Sequence, residues 1–177
     1  FIFASLALTA PLAACNTTAP VSGEFSQSLI APYRLDSGDR LRITVFDQPS
    51  LTNTYSVDQS GYIAFPLIGS VAARGRTMQE IEVAIAAQLR KGYLRDPDVT
   101  VEVDRYRPIY VMGEVGQPGQ YSYAPGMTVQ NAVAAAGGFT PRALKASADI
   151  SRKVNGRVLT GRVAITDAIL AGDTIYV

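Results

Sequence analysis

Hydrophobic and polar residues alternate in two stretches of the first half of the chain. Leu41, Ile43 and Val45 are separated by Arg42 and Thr44, and Val99, Val101 and Val103 by Thr100 and Glu102. A period of two places one set of side chains on a single face, so each stretch predicts a half-buried strand. Residues 54–57 and 62–66 are strand-like too. The turn Asp58-Gln-Ser-Gly61 between them predicts that they pair as a hairpin. The period then changes. Met78, Ile81, Ile85 and Leu89 recur at helical spacing behind Thr77-Met-Gln-Glu80, a capping box in which hydroxyl and carboxylate satisfy two free amides. The predicted helix runs over 78–91, with Gly92 at its C-terminal cap.

Arg105-Tyr106-Arg107-Pro108 marks a boundary, because Pro108 has no amide donor and stiffens the link. A second unit opens at Ile109-Tyr-Val-Met112. A helix is predicted from Thr128-Val-Gln-Asn131 to Gly137-Gly138, and Pro141 prevents its return. Asn155-Gly156 predicts a two-residue hairpin between 150–153 and 157–160. A last strand covers 174–177. Hairpin, helix, hairpin is the layout of a β-grasp domain, so the fold class is α+β.

The stretch Gly113-Glu-Val-Gly-Gln-Pro-Gly-Gln-Tyr121 decides between a ligand loop and a bend. A dinucleotide loop needs G-x-G-x-x-G at the start of a helix. Here the spacing is G-x-x-G-x-x-G and the pattern that follows is a strand. No Gly-Lys-Ser or Gly-Lys-Thr is present, so a P-loop is excluded as well. The prediction is a hairpin corner, with Pro118-Gly119 in a type II turn and positive φ at Gly119.

Composition narrows the chemistry. The 177 residues contain no His and one Cys, which removes imidazole triads, thiolate clusters and internal disulfides. Sixteen basic residues against fifteen acidic ones give no basic field for nucleic acid. Asp47, Asp58 and Asp173 are scattered over turns, and nothing brings two of them together as a glycosidase pair. No enzyme, cofactor or metal site is predicted.

The N-terminal run Phe1 to Ala10 has the length of a signal h-region and is too short to span a bilayer. Position 1 is Phe, so the true start is expected to lie upstream. Leu12-Ala13-Ala14-Cys15 resembles the lipobox of bacterial lipoproteins, which implies acylation of Cys15 as the mature N-terminus. Asn16, in place of Asp, gives no inner-membrane retention signal. The expected location is therefore the periplasmic face of the outer membrane, lipid-anchored.

A wider resemblance covers nearly everything from Tyr33 to Val177. Tyr33-Arg-Leu-Asp-Ser-Gly-Asp-Arg-Leu-Arg-Ile-Thr-Val45, Val57-Asp-Gln-Ser-Gly-Tyr-Ile63, Phe65-Pro-Leu-Ile-Gly69 and Asp96-Pro-Asp-Val-Thr-Val101 resemble the polysaccharide export domain. Tyr110-Val-Met-Gly-Glu-Val-Gly-Gln-Pro-Gly-Gln-Tyr121, Met127-Thr-Val-Gln-Asn131 with its alanine run to Phe139, and Gly172-Asp-Thr-Ile-Tyr-Val177 are similar to the SLBB (soluble-ligand-binding β-grasp) domain. The expected organisation is a signal peptide over 1–14, a lipidated Cys and tether over 15–31, an export domain over 32–106 and an SLBB domain over 107–177.

The resemblance implies a homo-oligomeric ring around a hydrated channel that exports capsular or extracellular polysaccharide. It implies an inner-membrane co-polymerase, often a tyrosine kinase, as partner. The chain ends at Tyr176-Val177 on a strand, without the pore-forming helix of some members. A short member served by a separate outer-membrane barrel is expected, with a truncated C-terminus as the other account. The competing reading is a periplasmic binding module for a soluble glycan, without a bore. A monomer with measurable sugar affinity would distinguish it.

Candidate contacts follow. Arg105, Tyr106 and Arg107 are candidates for an acidic polymer or a neighbouring subunit, against a solvated linker. Asp36, Asp39 and Arg40 are candidates for inter-subunit pairs, against an ordinary charged loop. Tyr121 and Tyr123 alternate on one strand face and are candidates for sugar contact, against packing.

Overall fold

The computed structural model describes Leu29, residues 31–154 and residues 156–177. Cys15, the signal run and most of the tether lie outside the described residues, as does Asn155 of the predicted hairpin turn. Two hydrophobic cores follow one another along the chain. The first is built from Leu35 to Val101 and the second from Ile109 to Ile175.

In the first unit, β1 (Arg40–Val45) runs between β2 (Asn53–Ser56) and β5 (Val99–Arg105), antiparallel to both. Leu41, Ile43 and Val45 face inward, as the alternation requires. β3 (Tyr62–Phe65) pairs with β4 (Gly69–Ala72) as a separate two-stranded sheet. The predicted hairpin of 54–57 with 62–66 is therefore not formed. The Asp58–Gly61 turn exists: the Gly61 amide donates to the Asp58 carbonyl at 3.0 Å, and the Tyr62 amide to Asp58 Oδ1 at 2.9 Å. Val57, however, is held at the start of β1, donating to the Asp39 carbonyl and accepting from the Gly38 amide. β2 is thus fastened to β1, and the turn sends β3 to a different partner.

The helix α1 (Met78–Leu89) starts at the capping box of Thr77 and Glu80. It ends two residues short of the expected 91, with Arg90 as its cap. Ile81, Ile85 and Leu89 are fully buried on one face, each stabilising the unit by about 1.5–3 kcal/mol. Glu82 of α1 accepts from the Val101 amide at 2.9 Å, covering part of the open edge of β5.

In the second unit, β6 (Ile109–Met112) and β7 (Gly119–Tyr121) form the first hairpin, and β8 (Ser147–Val154) and β9 (Arg157–Ala164) the second. The helix α2 (Val129–Ala135) lies between them in sequence. Its capping box is Thr128 with Asn131. The last strand, β10 (Thr174–Tyr176), inserts in the middle, parallel to β6 and antiparallel to β8. The sheet order is β7-β6-β10-β8-β9. Ile175 of β10, flanked by Val111 and Ile150, is fully buried.

The glycine stretch is a hairpin corner, as expected, but its glycines divide the work differently. Positive φ falls on Gly113 (φ 89°), not on Gly119. A Cβ at Gly113 would also collide with the Val177 carbonyl, which accepts from the Glu114 amide. At Gly116 a Cβ would stand 2.8 Å from the Gly137 carbonyl, where the corner packs on the end of α2. Gly119 is already in β7, opposite Val111. Gly113→Ala and Gly116→Ala should each cost about 2 kcal/mol in denaturant unfolding, and Gly119→Ala less than about 0.5 kcal/mol.

Candidate functional site: the joint between the two units

The candidate residues gather where the units meet. β5 ends at Arg105 and β6 begins at Ile109, so Tyr106, Arg107 and Pro108 are the crossing. Arg107 turns back onto the first unit. Its guanidinium Nη1 donates to Asp39 Oδ2 at 2.9 Å and to the Tyr33 hydroxyl at 2.8 Å, and its backbone amide donates to Asp39 Oδ1 at 2.8 Å. The guanidinium carbon lies 5.3 Å from the centre of the Tyr33 ring, a cation–π distance.

Asp39 is wholly buried, yet every side of its carboxylate is satisfied. The Tyr33 hydroxyl lies 2.8 Å from both oxygens and the Asp36 amide donates to Oδ2 at 2.9 Å. Donors from the first unit and from the crossing thus converge on one anion. Charge-assisted bonds of this kind are roughly twice as strong as neutral ones. Burial raises the Tyr33 hydroxyl far above its ordinary value, with Asp39 adding to the rise, so it stays a donor.

Three tyrosines run across the joint. Tyr33 and Tyr106 meet edge to face at 5.0 Å, and Tyr106 and Tyr123 at 5.5 Å. A second ion group lies beside them. Arg74 Nε donates to Asp36 Oδ1 at 2.7 Å, and Lys153 of β8 approaches Asp36 Oδ2 at 3.7 Å. Burial pushes the Asp36 carboxyl up, but Arg74, the Ser37 amide and Lys153 together outweigh it and hold it below the usual carboxylate range.

These positions bear on each candidate. Asp39 and Asp36 spend their charge inside the chain. Arg40 pairs with Asp104 at 2.7 Å. Arg107 is neither a solvated linker nor a free cation, whereas Arg105 is exposed at the end of β5. Tyr121 packs partly buried on the second core and donates to the Gln117 carbonyl. β7 stops at Tyr121, so Tyr123 is not on a strand; its ring belongs to the joint. Asp173 is held by Arg152 through two bonds of 2.8 and 2.5 Å, both side chains buried. The sequence reading missed Arg74 and Lys153, which lie far along the chain from Asp36, and it missed Tyr110 and Tyr176. Strict alternation with the buried Ile109, Val111 and Ile175 was the signal for the last two.

An open hollow of about 560 Å³ is lined by Arg34, Gly75, Arg76, Gln79, Glu80 and Val83. Its Arg34 donates to the Gly75 carbonyl and lies 3.9 Å from Glu80. Among the described residues no helix is long and apolar enough to cross a membrane.

Asp39→Ala leaves the Arg107 guanidinium and three further donors without their acceptor, and should destabilise the protein by about 3 kcal/mol in denaturant unfolding. Asp36, with its lowered value, stabilises the fold fully above the unfolded carboxylate range and loses that contribution as pH falls through its folded value. Melting temperatures of wild type and Asp36→Asn should therefore differ at neutral pH and converge in acid below about pH 4.

Residues 28–104 match the family described as polysaccharide biosynthesis/export protein, and residues 108–163 match the SLBB domain. The exopolysaccharide production protein ExoF of Rhizobium meliloti (strain 1021) is 36% identical over 149 residues, 77% of this chain and 34% of that protein. The EPS I polysaccharide export outer membrane protein EpsA of Ralstonia solanacearum is 37% identical over 135 residues, 61% of this chain and 35% of that protein. The polysialic acid transport protein KpsD of Escherichia coli is 25% identical over 157 residues, 82% of this chain and 28% of that protein. The chain spans about a third of the length of these curated relatives. The matched domains follow one another as the two cores do, and the chain belongs to the polysaccharide biosynthesis/export family, its export domain followed by an SLBB domain.

Proposed function

We propose that this protein is a subunit of an oligomeric periplasmic and outer-membrane channel through which capsular or extracellular polysaccharide leaves the cell. The observation that carries the reading is the ordered pair of export and SLBB domains, shared with relatives named for exopolysaccharide production, polysaccharide export and polysialic acid transport. The joint supports it physically. A channel wall must hold its bore while polymer passes, and the Asp39 cluster and tyrosine run fasten the two domains in one orientation.

The protein binds and guides, and does not cut or join its cargo. Asp36, Asp39, Asp104, Asp149 and Asp173 are each engaged by an arginine, which leaves them poorly placed for acid–base work. The location is the outer membrane, for which the EpsA relatives are named, with Cys15 as the lipid anchor. The partners are further copies of the chain, an inner-membrane co-polymerase and an outer-membrane barrel that completes the route through lipid.

Deletion of the gene should abolish polysaccharide outside the cell while polymer accumulates within the envelope. Unchanged secretion, in a strain with no second copy, would overturn the reading. Cys15→Ser should move the protein from the membrane fraction to the soluble periplasm, and full retention in the membrane would refute the anchor.

A further inference from the structure

The SLBB sheet has two faces. α2 and the second core cover one of them. The other leaves three large side chains open on its central strands, with Val158 further out on β9: Tyr110 is 43% exposed, Met112 42% and Tyr176 58%. All three lie on the central strands β6 and β10, not at an edge. The parallel register sets Thr174 beside Tyr110 and Tyr176 beside Met112. The tyrosines therefore stand on neighbouring strands, two steps apart, about 8 Å from each other.

What surrounds the rings is polar but closed in charge. On the next strands Arg162 meets Asp149 through two bonds of 2.8 and 2.9 Å. The hydroxyls of Ser151 and Thr160 lie 3.2 Å apart. Lys153 at the end of β8 already faces Asp36. A strongly charged ligand finds no uncompensated opposite charge among these groups. The core of a stable protein interface is depleted of charged residues, whereas here an ion pair adjoins the aromatic centre. A sugar chain suits both features. Its C–H faces match exposed tyrosine rings, and its hydroxyls match paired donors and acceptors of no net charge.

We infer that this outer face, centred on Tyr110 and Tyr176, is a contact site for uncharged stretches of the transported polysaccharide. The assignment rests on the export reading and gives it a surface. The contact is weak, because it is made through a few partly exposed side chains. Weak contact suits transit, since a conduit must release what it binds.

The test is amide NMR on the protein, with oligosaccharides cut from the extracellular polysaccharide of the producing cells as probe. Shifts concentrated on β6 and β10 support the site, and their absence overturns it. Tyr110→Ala/Tyr176→Ala should weaken the interaction roughly tenfold, while Tyr110→Phe/Tyr176→Phe keeps it. Equal binding by the alanine pair overturns the site. A changed assembly size in the alanine pair reassigns the face to contact between copies and likewise overturns it. The gene deletion separates the two claims. Normal secretion on deletion removes the export reading and this site with it, whereas a secretion defect together with no sugar-induced shifts in the wild-type protein removes the site alone.

Discussion

One buried carboxylate organises this molecule. Asp39 sits at the start of β1, out of reach of water, and an anion there is tolerable only if donors surround it. Tyr33, the Asp36 amide and both the backbone and side chain of Arg107 do so. Its own carbonyl holds Val57, which anchors the end of β2. A single residue thus closes the first sheet and fixes the point at which the chain enters the second domain. An apolar residue in its place could pack, but could not direct Arg107. Specificity of orientation is what the charge contributes here, at the cost of desolvation.

Local signals in the sequence were sufficient for most elements. Thr77 with Glu80, and Thr128 followed by Asn131, announced both helices, because a cap is a bond between residues three apart. Alternation at Leu41–Val45 and at Val99–Val103 announced strands for a similar reason: burial on a pleated sheet repeats every second residue. Partner choice was not local. Residues 54–57 and 62–66 look like the arms of one hairpin, and the turn between them is real. Val57 binds instead to a residue eighteen positions earlier, and the arms part.

The joint was half legible. Arg105-Tyr106-Arg107-Pro108 marked the boundary, but a carboxylate in a Ser-Gly-Asp turn reads as solvated. The partner that buries Asp39 lies 68 residues away, and no window on the chain contains both. Tyr121 and Tyr123 alternate in the sequence as on one strand face, which suits packing as well as sugar contact. The structure turns them toward the core and the joint and leaves Tyr110 and Tyr176 outside. Alternation with the buried Ile109, Val111 and Ile175 is what sets Tyr110 and Tyr176 on the open face.

The bond from the Val101 amide to Glu82 has a consequence for how copies of this chain can meet. An open strand edge invites another strand to continue the sheet, and the resulting union is generic, sticky and hard to reverse. With a carboxylate already holding that amide, a visiting strand must first displace it at the middle of β5. Association at this edge is thereby steered from shared backbone ladders toward side-chain fit, which can be graded by sequence.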